Sequence, residues 1–346
     1  MKRVAIIGAG PIGLELAVAF RRAGIDYVQF DAAQIGATMQ WYPLEMVFHS
    51  SAERLAIAGV PIQVPDQQKI KREEFLAYLR AIVLQFGLEV RTYERVEAIV
   101  SSRAQSRDPL LASSSTRQRR GSLDFARDDG VFTLHTNRGT YEASEIVLAI
   151  GAMHAPNLLN IPGEELPHVS HYFRDPHTYF ARELLIVGGR NSAIEAAVRC
   201  QRAGARVTIA YRRDDFDAKS VKFWLLPEIR AMIRDGLVRF LPNAWPVEIR
   251  ERDVLLNTGE TLPADFVLAL TGYRQETSLF EMLGVDLQGA DRKPRLDEET
   301  METNVPGVYV AGTAIAGSPA ERVRIIVEDC HVHVPRIVSA IQRRHA

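Results

Sequence analysis

The chain carries one local grammar twice: a short apolar strand, a glycine turn, a helix and a second strand, first around residue 8 and again around residue 188. Arg3 to Ile7 is an apolar run ending at Gly8, Leu14 to Ala23 is rich in helix formers and stopped by Gly24, and Tyr27 to Phe30 reads as a strand ending at Asp31. The order returns with Leu184 to Val187, Gly188-Gly189, a helix from Ser192 to Ala203 closed by Gly204, and a strand from Arg206 to Ala210. A crossover of this length joins parallel strands with a right-handed connection. Two such units in 346 residues predict an α/β chain of two Rossmann-like, three-layer domains.

The first turn, Gly8-Ala9-Gly10-Pro11-Ile12-Gly13, fits G-x-G-x-x-G, with the acid Asp31 about 20 residues on. Gly8 permits the tight turn, Gly10 lets a diphosphate approach the backbone, and Gly13 lets helix and strand pack closely. The helix N-terminus favours the phosphate charge, and Asp31 would accept hydrogen bonds from a ribose. A purely structural glycine turn is the competing reading; the strand, helix and acid in register weigh against it.

The second turn, Gly188-Gly189-Arg190-Asn191-Ser192-Ala193, places Arg190 where the central glycine belongs. Either the site is looser or Arg190 itself contacts phosphate. Beyond the next strand, Arg212 and Arg213 stand where a nucleotide lacking the 2′-phosphate would call for a carboxylate. Two guanidiniums suit a 2′-phosphate, which favours NADPH over NADH; a solvated basic turn is the alternative.

Composition removes other classes. With 42 basic and 43 acidic residues, nothing points to a nucleic acid or an anionic membrane surface. No apolar run reaches the roughly 18 residues of a membrane span or has the form of a signal peptide, and two cysteines, Cys200 and Cys330, far apart, offer neither a disulfide framework nor metal-ligand spacing. These traits fit the cytoplasm and no metal. Ser101 to Gly130, crowded with Ser, Arg, Asp and Gln, reads as a solvated surface insertion that function does not require. Arg72 to Gln85 reads as an amphipathic helix, and Val131 to Thr136 with Thr140 to Ile150 as strands.

Further stretches carry a resemblance. Val308-Tyr309-Val310-Ala311-Gly312-Thr313 is similar to the strand by which thioredoxin-reductase-like flavoproteins return to their FAD domain. Ile146 to Gly151 and Phe266 to Gly272 resemble the strand-glycine segments at their domain crossings. Phe48 to Leu55, Gly59-Val60-Pro61 and the 188 to 193 turn resemble the bacillithiol-disulfide-reductase-like branch. The resemblance implies FAD at the first turn, with Gly151, Gly312 and Thr313 beside it, and an NADPH domain at 175–292 inserted in an FAD domain of 1–174 and 293–346. It implies a homodimer or larger, hydride flow from NADPH to flavin, and a small-molecule disulfide or a small redox protein as acceptor. That branch carries a cysteine in the first glycine loop, where Ile12 stands here, and the superfamily's Gly-Asp becomes Gly312-Thr313.

Of the reactive side chains, Cys200 reads as a buried apolar residue. Cys330 is the candidate thiol, on a closing helix read as Val323 to Ile341, with His331 and His333 as neighbours able to lower its pKa; packing is the plainer role for it. His331 and His333 have the wrong spacing for metal ligands on a helix. His171 lacks the other anchors of the flavin-monooxygenase signature, and His171 to Pro176 reads as a hinge strand. A monooxygenase and a flavin-based redox sensor are the alternatives to a reductase, the sensor favoured by Arg190.

Overall fold

The computed structural model describes residues 2–65, 68–102, 130–318 and 325–346. The first unit opens as its glycines direct: β1 (Lys2–Ile7), the turn, α1 (Pro11–Arg22) and β2 (Tyr27–Phe30). Helix α1 begins three residues earlier than expected, because Pro11 sits at its first position, where a missing N–H costs nothing. Then come α2 (Arg72–Phe86), β3 (Val90–Arg91), β4 (Val96–Ser101), β5 (Phe132–Thr136) and β6 (Thr140–Leu148). These strands form one sheet in the order β3-β2-β1-β6-β5-β4. Antiparallel pairing holds β4 to β5 and β5 to β6, and the other neighbours run parallel. Ser101 pairs with Phe132, so the expected insertion leaves and re-enters at the tip of a hairpin; its residues 103–129 lie outside the described residues.

The chain leaves this sheet through β7 (Ala155–Pro156) and enters a second one. Its strands are β8 (Val169–Ser170), β9 (Glu183–Val187), β10 (Arg206–Tyr211), β11 (Val238–Pro242) and, after the antiparallel β12 (Pro246–Ile249), β13 (Asp253–Leu256) and β14 (Thr261–Pro263), β15 (Phe266–Ala269). The order is β11-β10-β9-β15-β8, all parallel. Helix α3 (Asn191–Arg202) follows β9, and α4 (Leu225–Arg234) follows β10. One face packs Ile194, Val198, Leu226 and Ile229 of these helices; the other packs Val254, Leu256 and Leu262 of the antiparallel sheet. The second unit is therefore three layers deep.

The chain returns through β16 (Tyr273–Arg274), α5 (Ser278–Leu283) and β17 (Val308–Val310), which lies parallel to β6 as the returning strand. Strand β16 pairs antiparallel with β7, Tyr273 opposite Pro156 and Arg274 opposite Ala155, so both passages between the units run side by side. On one face of the first sheet α1 packs with Phe75, Leu79 and Ile82 of α2 and with Ile337 and Ile341 of the closing helix α6 (His333–His345). On the other face lie Leu279, Phe280 and Leu283.

Three expectations need correction. The closing helix starts at His333, not Val323: Pro335 is tolerated only in a first turn, so the helix can begin no more than a few residues before it, and a 3-10 turn at Val327–Asp329 precedes it. The segment His171 to Pro176 is not a strand; the strand is Val169–Ser170, at the edge of the second sheet. We place the passages between the units at 154–157 and 272–274 rather than near 174 and 292. Leu159, Ile161 and Leu166 pack into the second core, and a Cβ on Gly163 would meet Ile249 O at 1.8 Å, whereas Leu279 to Val285 pack into the first.

Candidate functional site

The first glycine turn stands at the carboxyl ends of the parallel strands β1, β2, β6 and β17, where α/β sheets bind ligands. Its three glycines have three different surroundings. Gly8 has φ +113°, and a Cβ there would lie 2.3 Å from Ala149 O; on Gly13 it would lie 2.2 Å from Gly8 O. On Gly10 it would meet nothing within 4 Å. The outer glycines are packed against backbone, and the middle one faces open space at the N-cap of α1.

Asp31 closes the turn from below. Its Oδ2 accepts from Ala9 N at 2.8 Å and its Oδ1 from Ala33 N at 2.8 Å. Burial raises its pKa, against the pull of those two N–H groups and of Arg95. Each carboxylate oxygen keeps a lone pair for a further donor. Gln29, fully buried, donates Nε2 to Gly8 O at 3.0 Å. The sequence reading overlooked it, although a lone amide inside the apolar strand Tyr27–Phe30 was a visible signal.

The same rim gathers Gly151, Gly312 and Thr313. Thr313 Oγ1 accepts from Ala152 N at 3.2 Å, tying the two turns together, and a Cβ on Gly312 would stand 3.4 Å from that of Ile12. His333 Nδ1 accepts from Gly312 N at 3.2 Å. Burial, with Arg336 and His331 adding to it, pushes His333 down to about 4, so the ring is neutral and carries its proton on Nε2.

The second turn repeats the packing with one change. Gly188 has φ +140°, and a Cβ on it would meet Leu270 O at 2.5 Å. Gly189 lies flat on the Tyr211 ring, 2.5 Å from where its Cβ would be. Arg190 is the N-cap of α3 at φ −114°, ψ −172°, an extended conformation that any residue adopts, so the missing glycine costs no backbone strain. Asn191 Oδ1 accepts from Lys222 N at 2.8 Å. Ser192 is exposed and Ala193 buried beneath Gly188, while Arg212 and Arg213 are exposed at the end of β10. The predicted residues thus fall into two groups, one on each sheet.

Cys330 is not among them as a reactive group. It is fully buried, its thiol donates to Ile326 O at 3.2 Å, and burial, helped by Asp329, Glu328 and Glu15, pushes it up to about 12. Its histidine neighbours are engaged elsewhere, correcting the idea that they activate it. His331 places Nδ1 2.7 Å from Glu15 Oε2 and Nε2 3.0 Å from Arg54 O, and the bond to Glu15 raises its pKa. Cys200 is equally buried and pushed up to about 12 by burial. His171 is a bolt between segments, Nε2 3.3 Å from Glu164 and Nδ1 3.2 Å from Ala269 O. Among the described residues no group of three or more His, Cys, Asp or Glu side chains could hold a metal ion, and no helix is long and apolar enough to cross a membrane.

Comparison with known proteins agrees with this arrangement. The chain is 32% identical over 347 aligned residues to the bacilliredoxin reductase Bdr of Bacillus subtilis, covering 99% of this chain and 98% of that protein. It is 28% identical to a ferredoxin–NADP reductase of Ignicoccus hospitalis over 90% of each. Among solved structures, the bacillithiol disulfide reductase Bdr (YpdA) from Bacillus cereus superposes with a TM-score of 0.85 at 33% identity, covering 99% of both chains. Residues 5–107 and 123–312 match the family described as pyridine nucleotide-disulphide oxidoreductase. With both glycine turns inside the matched residues, this chain belongs to the pyridine nucleotide-disulphide oxidoreductase family.

Proposed function

We propose that the chain is an NADPH-dependent FAD oxidoreductase of the cytoplasm whose acceptor is a small disulfide. The observation that carries the reading is the open space over Gly10, between a Gly8 and a Gly13 that are both pressed on backbone, which admits a diphosphate. FAD is held by the Gly8–Gly13 turn and Asp31, with Gly151, Gly312 and Thr313 on the same rim. NADPH is held by residues 188–193, its 2′-phosphate by Arg212 and Arg213. Bound together, the two cofactors supply hydride transfer and a flavin that takes up and gives out electron pairs.

What the protein adds is position and charge. The N-termini of α1, past Pro11, and of α3 would favour the two diphosphates, and Arg190, unstrained as the N-cap of α3, would offer a guanidinium to the second. The neutral His333 holds Gly312 N without introducing a charge. Cys200 and Cys330 are the chain's two cysteines, both buried with raised pKa, so neither thiol is suited to relay electrons and the acceptor would have to meet a bound flavin directly. The net reaction breaks one S–S bond, forms two S–H bonds, and consumes one NADPH and one proton.

A second reading, delivery to a small electron-carrier protein, draws on the likeness to a ferredoxin–NADP reductase. Anaerobic NADPH should bleach the visible flavin absorbance, and bacillithiol disulfide, but not oxidised ferredoxin or flavodoxin, should restore it. Purified protein that stays colourless with added FAD, or FAD-loaded protein that NADPH leaves yellow, would refute the assignment; recovery only with the carrier proteins would favour the second reading.

A further inference from the structure

Gln275 stands where the second passage re-enters the first unit, directly after β16, and is 5% exposed. Its amide Nε2 donates to Ala314 O at 2.6 Å and to Gly151 O at 3.4 Å, and its backbone N donates to Ser318 Oγ at 2.8 Å. Gly151 and Ala314 belong to the two turns that Thr313 also ties together. One side chain therefore holds the turn after β6, the turn after β17 and the passage from the inserted unit at a common point.

The amide is an expensive choice for a buried position. Gln275 Oε1 is buried and has no hydrogen-bond partner among the described residues, and a buried acceptor left unpaired loses its hydration with no return. A leucine or methionine would avoid that cost. Only the two N–H bonds of the amide offset it, and both go to carbonyls on the cofactor rim. Because a peptide unit is planar, fixing Gly151 O and Ala314 O fixes the peptide planes at 151–152 and 314–315.

We propose that Gln275 is a positioning residue for the flavin, setting the spacing and orientation of the Gly151 and Gly312–Ala316 turns and linking them to the passage from the nucleotide-binding unit. The inference rests on the reading that FAD occupies the first turn. Gln275 need not touch the flavin; it acts through the backbone that does.

The test compares FAD-loaded wild type with Gln275→Met, which keeps the length and removes the donor, and Gln275→Glu, which sets an acceptor against two carbonyls. Losing one short and one long hydrogen bond should raise the FAD dissociation constant roughly tenfold in Gln275→Met, with a displaced visible flavin band and a larger effect in Gln275→Glu. Ser318→Ala loosens only the backbone bond, guards against misfolding of the other two, and should produce a smaller change of the same kind. A melting temperature that falls while FAD affinity and the visible bands stay at wild-type values would overturn the inference, because a merely structural role moves only the first. Wild type that binds FAD normally beside unchanged variants sinks the inference alone. Wild type that binds no FAD sinks the assignment on which it rests as well.

Discussion

Replacing Gly10 by alanine should separate the cofactor-binding role of the first turn from its folding role. The residue has φ −73° and ψ −177°, which alanine adopts without strain, and its Cβ meets nothing within 4 Å. Alanine is a poorer N-cap than glycine by a few tenths to about 1 kcal/mol, while the stiffer unfolded chain returns about 0.4–1 kcal/mol. The apoprotein should therefore keep its stability to within about 1 kcal/mol. A methyl group in the space meant for a diphosphate costs about 1–3 kcal/mol of overpacking, which is a roughly fivefold to hundredfold rise in the FAD dissociation constant. The matched control is Gly13→Ala, whose Cβ would stand 2.2 Å from Gly8 O and should destabilise the apoprotein itself by about 1–3 kcal/mol. Urea denaturation of the apoproteins and quenching of FAD fluorescence measure the two effects separately. If Gly10→Ala weakens the fold as much as Gly13→Ala and leaves FAD affinity intact, the cradle argument is wrong.

Four further outcomes follow from individual side chains. Arg212→Ala with Arg213→Ala should raise the KM for NADPH roughly tenfold or more through lost charge-assisted bonds and leave that for NADH unchanged; equal effects on both would place the 2′-phosphate elsewhere. Cys330→Ala should retain NADPH oxidation, and native protein should resist thiol alkylation at pH 8, as a buried thiol pushed up to about 12 requires; rapid alkylation with loss of turnover would restore Cys330 as a candidate. His331 has a raised folded pKa, so its bond to Glu15 stabilises fully below the ordinary value of 6.5 and is lost as pH climbs through the raised value; the stability gap between wild type and Glu15→Gln, read by urea denaturation, should narrow as pH rises. His333 behaves oppositely: the unfolded ring gains a proton below 6.5 and the buried one only near 4, so roughly 3 kcal/mol should be lost on acidification across that interval, and less in His333→Asn, whose carbonyl replaces Nδ1; equal acid sensitivity in both would refute it.

How far the sequence could be read depended on whether a residue's partners are local. Gly8 and Gly188 announce themselves because their φ of +113° and +140° belongs to a turn a few residues long, Gly13 because it packs on Gly8 within that turn, and Asp31 because the strand before it has a set length. Gly189 is different, since what requires it is the ring of Tyr211, at the end of the neighbouring strand. Gln275 left no local trace, because its partners Gly151 and Ala314 are distant in the chain and only the fold brings them together. The late start of the closing helix was legible in Pro335, whose ring bars a helix already under way. The passages were misplaced because Ile161-Pro162-Gly163 has the composition of a linker, yet Gly163 is pressed against Ile249 and belongs to the second core.

The antiparallel pairing of Ala155–Pro156 with Tyr273–Arg274 has an architectural consequence. A guest domain whose ends emerge one strand spacing apart, about 4.8 Å, asks its host to open no wider than a tight hairpin would. The guest could then be exchanged for another cassette with neighbouring termini without redrawing the sheet that receives it.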